Sequence, residues 1–425
     1  MRIVTNPSPS EIAGLIKRPQ FKGDELFGAV REILRKVQSE GDRALFEFAK
    51  RFDKVELGTL KVSAAEFEAA EKDLAPELLA AIKVAESTIG KFHEAQHRSE
   101  LRVETIAGVN CWRRAIPIER VGLYIPGGSA PLLSTMLMLG VPARLAGCKE
   151  IVVCTPPQAD GKIAGAILVI AKLLGITQVF KVGGAQAIGA LGYGTETIPQ
   201  VDKILGPGNQ YVTAAKQLLQ LEGVAIDIPA GPSEVCVVAD GGASPEFIAA
   251  DLLSQAEHGP DSQVLFITWE TEIVEKVAAE VERQLAQLPR KDLAKQSIAA
   301  SCIVLVENAD VAMTVANRYA PEHLILAVSE PFKLAEKVQH AGSVFLGYLT
   351  PESLGDYASG TNHVLPTAGA ARGWSGVSLD SFFKQVTFQQ ASAEGIENLS
   401  SAVAVLARAE GLEGHARAVE VRRRK

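Results

Sequence analysis

The sequence predicts an α/β protein built on parallel sheets, with helical stretches toward both ends. Three observations carry that prediction. From about residue 118, short apolar runs alternate with helical patterns, the signature of strands covered by helices on both faces. Glycine-rich loops follow several of those runs. The first hundred residues instead show helical periodicity throughout. At 425 residues, with 47% hydrophobic and 22% charged residues, the chain is neither disordered nor fibrous. Its length corresponds to roughly two to three domains.

Taken in order, Phe27, Val30, Ile33, Leu34 and Val37 recur at helical spacing. Gly41 ends that helix, and residues 44–52 form the next. Residues 66–97 are rich in the helix formers Ala, Glu, Leu and Lys. Residues 103–125 read as extended. Candidate strands are 122–125, 151–155, 179–182, 203–205, 234–239, 263–268, 302–306 and 343–346. Helices such as 245–258 and 271–288 lie between them, and helices return from about Ser381. The glycine-rich loops are Pro126-Gly127-Gly128-Ser129, Gly183-Gly184-Ala185-Gln186, Gly206-Pro207-Gly208-Asn209 and Gly231-Pro232-Ser233. Such loops at the carboxyl ends of parallel strands are where α/β proteins bind ligands.

Several function classes are disfavoured. With 43 basic and 50 acidic residues the net charge is −7, which argues against a dominant basic surface for nucleic acid. The basic ending Arg422-Arg423-Arg424-Lys425 reads as a solvated tail. Residues 1–12 lack the apolar core of a signal peptide. The apolar run 163–176 contains Lys172 and falls short of the roughly 20 residues that cross a bilayer. A soluble, cytoplasmic protein is expected. The five cysteines are scattered without a CxxC, and Cys154, Cys236 and Cys302 sit in apolar runs as small hydrophobes. No GxGxxG, GxxxxGK[ST] or GxSxG occurs, so the standard dinucleotide, P-loop and hydrolase-elbow signatures are missing.

Seven histidines narrow the chemistry. His93, Glu94 and His97 match HExxH, the zinc-hydrolase pattern. No third ligand follows at the spacing such a site needs, and the surrounding residues read as a solvated helix face. Gln255 and His258 lie three apart near the end of a predicted helix and share one face. Glu322 and His323 are adjacent in an expected loop, a carboxylate and an imidazole suited to acid–base work. Asp356 falls in an expected turn. His363 follows it closely enough to act as a supporting residue. His340 reads as a surface helix residue, and Trp112, Trp269 and Trp374 as core or interface residues. A non-catalytic α/β binding protein is the third alternative, after a hydrolase built on His93.

Taken together, longer stretches of the chain resemble the histidinol dehydrogenase family. They are 120–128 (RVGLYIPGG), 182–187 (VGGAQA), 205–209 (LGPGN), 228–234 (IPAGPSE), 255–259 (QAEHG), 320–324 (APEHL), 355–363 (GDYASGTNH) and 410–415 (EGLEGH). The resemblance covers essentially the whole chain in order. It implies two incomplete Rossmann-like parallel-sheet domains with helical N- and C-terminal segments. The expected division is an arm at 1–22, a first domain of 23–120 plus 233–378, a second of 121–232, and a C-terminal segment of 379–425. It implies a zinc- and NAD-dependent enzyme that oxidises L-histidinol through L-histidinal to L-histidine. By matching motifs, zinc would be held by Gln255, His258, Asp356 and His415. Glu322 and His323 would be the acid–base pair. Ser233 and Glu410 would contact substrate, with Gln255, His258, His323, Asp356 and His415. Tyr124, Gln186 and Asn209 would contact NAD. The resemblance also implies a homodimer in which the C-terminal segment completes the partner's site.

Overall fold

A computed structural model describes residues 1–18, 23–127, 131–228 and 231–423. Gly128 and Ser129 of the first glycine-rich loop, Pro229 and Ala230 of the 228–234 stretch, and Arg424 and Lys425 of the tail lie outside the described residues. The strands in chain order are β1 (Arg2–Thr5), β2 (Leu101–Ile106), β3 (Val109–Pro117), β4 (Arg120–Tyr124), β5 (Glu150–Thr155), β6 (Gln178–Lys181) and β7 (Lys203–Leu205). They continue with β8 (Ala225–Ile226), β9 (Glu234–Ala239), β10 (Gln263–Thr268), β11 (Cys302–Leu305), β12 (His323–Ala327), β13 (Ser343–Leu346) and β14 (Phe383–Ala391).

Two sheets are parallel. One has the order β1-β11-β10-β9-β12-β13 and the other β6-β5-β4-β7-β8. In β9 alternate side chains enter opposite cores, as the two-residue strand period requires. Val235, Val237 and Ala239 join the core under the helices Pro245–Ala256 and Thr271–Leu285. Cys236 and Val238 join the core under the helix Ala309–Tyr319. Burial on both faces is why such strands read as continuous apolar runs. All eight predicted strands are present, with ends shifted by at most two residues. Cys154, Cys236 and Cys302 are buried and free, as expected.

Some expectations need correction. The helical stretch expected at 66–97 breaks in two, Ala64–Asp73 and Pro76–Glu94, because Pro76 is favoured at the first position of a helix and costly inside one. Helices do not return at Ser381. Residues Phe383–Ala391 form β14, which pairs antiparallel with β3 and stacks Phe388 on Trp112 at 5.4 Å between centroids. The following helices are Ala393–Ala409 and Glu413–Arg423. His340 lies in a bend, not a helix. Within the expected arm, residues 2–5 form an edge strand of the six-stranded sheet. The helices Gly23–Glu40, Ala64–Asp73 and Pro76–Glu94 pack on the helices of the five-stranded sheet, with Val30, Leu34 and Val37 in its core. Packing therefore groups residues 24–94 with 121–228, where the sequence reading grouped them with 233–378. None of the described helices is long and apolar enough to cross a membrane.

The five-stranded sheet presents its carboxyl edge to the cleft, through the loops after β4, β6 and β7. The six-stranded sheet presents its amino edge, because Glu234, Gln263 and His323 are the first residues of β9, β10 and β12. The expectation that ligand loops follow strands thus holds for one wall of the cleft only.

A buried ion pair holds the loop after β7. Lys216 Nζ lies 2.5 Å from Asp227 Oδ1 with both side chains 1% exposed, and it also donates to Gly206 O at 2.9 Å. Asp227 Oδ2 accepts from Gly206 N at 2.7 Å. Gly206 has φ +133°, and a Cβ at this position would collide with Tyr124 O, so no side chain fits. Lys216→Met leaves Asp227 buried without its partner, so chemical denaturation should show a loss of roughly 3–5 kcal/mol. A loss under about 1 kcal/mol would show that the pair is dispensable.

Candidate functional site

The site is built around the start of β12. Ala320 caps the preceding helix in the left-handed region, at φ +51°, an uncommon conformation for a residue with a side chain. That turn delivers Pro321, Glu322 and His323 to the amino edge of the sheet. The expected loop is therefore a strand start: both side chains are buried, and His323 pairs in register with Val235 and Ser343. The backbone of Glu234 orients both. Its N–H donates to Glu322 Oε2 at 2.9 Å, and its carbonyl accepts from His323 Nδ1 at 3.0 Å. The Glu234 side chain is itself fixed by Arg18, which donates to its two oxygens at 2.6 and 2.8 Å. With Nδ1 committed to a carbonyl, Nε2 is the nitrogen of His323 that faces other chemistry.

His323 Nε2 lies 3.1 Å from Asp356 Oδ1. Asp356 is not in a turn. It sits on the short helix Glu352–Tyr357, one helical turn after Glu352 and on the same face. Gln255, near the end of the helix Pro245–Ala256, donates from Nε2 to Glu352 Oε2 at 2.7 Å and to Asp356 Oδ2 at 3.3 Å. Ligand atoms of His323, Glu352 and Asp356 lie within 4.8 Å of one another, an arrangement that can hold a metal ion. Sequence reasoning missed Glu352. Its four-residue spacing from Asp356 was the available signal.

The electrostatics follow from crowding. Burial pushes Glu322 up to about 8, against the downward pull of His323. Burial works to lower His323, but Glu322 and the hydrogen bond to Asp356 win and push it up to about 10. Burial would raise Asp356 too, yet its hydrogen bond and charge contact with His323 hold it well below the usual carboxylate range. Glu352 is raised by burial and by Asp356. His258 is solvent-accessible within the cleft, whose walls nonetheless disfavour its charged form and lower its pKa.

A cleft of about 730 Å³ contains Ser233, Glu234, His258 and Arg18 on one wall, with Gly208 and Asn209 on the other. It abuts a second cleft of about 760 Å³ lined by Tyr124, Gln186 and Asn209, with Phe52 and Asp53 from a π-helical turn at Ala49–Asp53. Tyr124 is buried and its hydroxyl accepts from Gly184 N at 3.0 Å. Asn209 caps the helix Gln210–Leu221 through its side chain. All four glycine-rich loops predicted from sequence thus contribute to the lining of these two clefts.

Other candidates fall outside. His93 is buried rather than solvated, and both ring nitrogens are engaged, Nδ1 with Ile89 O at 2.8 Å and Nε2 with Asn362 at 3.3 Å. His97 is exposed beside Phe383. The two do not form a zinc-binding helix face. His363 supports the site: Nδ1 lies 2.9 Å from Asp356 O and Nε2 3.1 Å from Thr135 Oγ1. Glu410, at the end of the helix Ala393–Ala409, and His415, on the helix Glu413–Arg423, are exposed, and no hydrogen bond of their side chains joins them to the cluster.

A family model described as histidinol dehydrogenase matches residues 16–423. The chain belongs to the histidinol dehydrogenase family. It is therefore an oxidoreductase. It is 52% identical over 422 residues to histidinol dehydrogenase of Bacteroides fragilis, covering 99% of each chain. It is 56% identical over 395 residues to that of Xanthomonas euvesicatoria, covering 93% of this chain and 92% of the relative. The crystal structure of histidinol dehydrogenase from Elizabethkingia anophelis superposes with a TM-score of 0.97 at 53% identity, covering 99% of this chain and 98% of that one. The parallel-sheet α/β architecture of the family is the one found here.

The raised His323 pKa has a measurable consequence in metal-free protein. A proton held more tightly in the folded state stabilises it fully below the ordinary value of 6.5, and that contribution is lost as pH rises through about 10. Thermal midpoints taken in chelator should fall over this window. His323→Gln should show a shallower fall. Parallel curves for the two proteins would contradict the assignment.

Proposed function

We propose that the chain is a cytoplasmic, zinc-dependent homodimer that oxidises L-histidinol through L-histidinal to L-histidine, reducing NAD at each step. The observation that carries this reading is the buried Glu322–His323 pair packed against Gln255 and Asp356 beside His258, at the junction of two clefts.

The residues present fit a divalent cation. Gln255 Oε1 is buried without a hydrogen-bond partner, and a buried orphaned carbonyl oxygen is costly unless something binds it. The donors are nitrogen and oxygen only, a set suited to a site kept open to substrate. Zinc held by Gln255, His258, Asp356 and the His415 of a second copy of the chain would anchor the imidazole and amine of the substrate. NAD held along Tyr124, Gln186 and Asn209 would accept hydride. Ser233 and Glu410 would complete the substrate contacts. A second copy is supported by the C-terminal helices, where Val405 is 66% and Leu406 65% exposed in the single chain.

The acid–base work follows from the geometry. An alcohol must lose its proton as hydride leaves, and His323 Nε2, once a cation rather than a proton matches Asp356, would be placed to take it while Nδ1 stays anchored on the Glu234 carbonyl. The imidazolium so formed favours ionised Glu322, whose nearest oxygen is 3.7 Å from Nδ1. The aldehyde must then be hydrated. Glu322, with burial raising its affinity for a proton, is a stronger base than an ordinary carboxylate for activating that water. Its Oε2 is held by Glu234 N–H, which leaves Oε1 for the water.

The test is to supply zinc-loaded protein with NAD and L-histidinol and follow NADH and product. Two NADH per histidine are expected. Glu322→Gln and His323→Gln should each lower the rate on the order of 10²–10⁴-fold, with Glu322→Gln sparing the alcohol step relative to the aldehyde step. No NADH from folded, zinc-loaded protein would overturn the reading.

A further inference from the structure

A glutamine side chain can present either end of its amide to a site. The two orientations have nearly the same shape but opposite chemistry: the oxygen has lone pairs to give a cation, and the NH₂ group has none. Something must choose between them at Gln255. Among the described residues, Gln255 Oε1 is one of two buried side-chain polar atoms with no hydrogen-bond partner. The other end of the amide is held firmly, since Nε2 donates to Glu352 Oε2 at 2.7 Å and to Asp356 Oδ2 at 3.3 Å.

Glu352 is built for that task. It is 1% exposed, and Oε1 accepts hydrogen bonds from Ser254 Oγ and, at 3.1 Å, from Ser353 Oγ. Its second oxygen is left to Gln255. A carboxylate can only accept, so turning the amide over would set oxygen against oxygen in a place water does not reach. We propose that Glu352 is a positioning residue for metal binding, whose carboxylate locks the Gln255 amide with its oxygen toward the site. This rests on the zinc reading above. In the zinc reading above the ligands are Gln255, His258, Asp356 and His415, so Glu352 acts through Gln255 rather than on the metal.

Glu352→Gln tests the lock. A glutamine there offers NH₂ as well as oxygen, so either orientation of Gln255 becomes acceptable. The readout is zinc affinity, measured by competition with a chromophoric chelator in the absence of NAD and substrate. E352Q should weaken zinc binding on the order of 10–100-fold, the usual effect of losing the partner of a metal ligand. The double variant Gln255→Glu with Glu352→Gln swaps the two groups and keeps the net charge. The carboxylate introduced at position 255 presents an oxygen to the site whichever way it turns, and the amide introduced at position 352 can donate back to it. This swap should restore affinity to within about threefold of the parent. Should E352Q not fold, Ser254→Ala removes one hydrogen bond that holds Glu352 and should weaken zinc severalfold. E352Q with parental affinity, a swap as weak as E352Q alone, or Ser254→Ala without effect would each overturn the lock. A parent protein that binds no zinc would overturn the zinc reading itself, a result distinct from the other three.

Discussion

Buried charge has to be matched, and the cluster at the start of β12 is not matched by its own residues. Glu322, Glu352 and Asp356 crowd one imidazole in a place largely closed to water. Ionised carboxylates at such a place carry a desolvation penalty of several kcal/mol each unless a cation offsets it. In the chain alone part of the excess is relieved by protons, with Glu322 raised by burial and His323 held as an imidazolium beside Asp356. A divalent cation would do the same work and would also satisfy the stranded oxygen of Gln255.

The fold supplies the rigidity this arrangement needs. Acid–base groups are useful only when held to a fraction of an ångström, and here each is held by backbone rather than by flexible side chains. Glu234, the first residue of β9, fixes Glu322 through its N–H and His323 through its carbonyl. Its side chain is clamped by Arg18, which also donates to Tyr319 O at 2.7 Å and lies 4.0 Å over the Tyr319 ring. The opposite wall is set by a different device. Lys216 and Asp227 hold the loop that ends in Asn209, and Tyr124 pins the turn at Gly184. Two sheets of opposite polarity at the cleft thus bring the carboxyl-edge loops of one to the amino-edge residues of the other.

Much of this was legible in the sequence, for physical reasons. Strands buried on both faces are written as apolar runs, so β7, β9, β10 and β13 can be read to the residue. β12 was hidden because its functional start, Pro321-Glu322-His323, looks like a polar loop. β14 was hidden because it exists through pairing with β3, and pairing partners are not local. Glu234 was missed because it acts through its backbone, and Glu352 because it touches a ligand residue rather than standing in a catalytic motif. Glu410 and His415 came from family resemblance alone. In the single chain they are exposed, so nothing in one copy of the structure gives them a role.

The measurement that bears most directly on this account is a calorimetric titration of metal-free protein with zinc near pH 7, repeated in buffers of different ionisation enthalpy. If a cation replaces protons as the match for the buried carboxylates, one zinc binds per chain and protons are released on binding. Asp356→Asn, which removes the carboxylate shared by His323 and Gln255, should abolish the high-affinity site. Binding without proton release, or binding unchanged by Asp356→Asn, would contradict it.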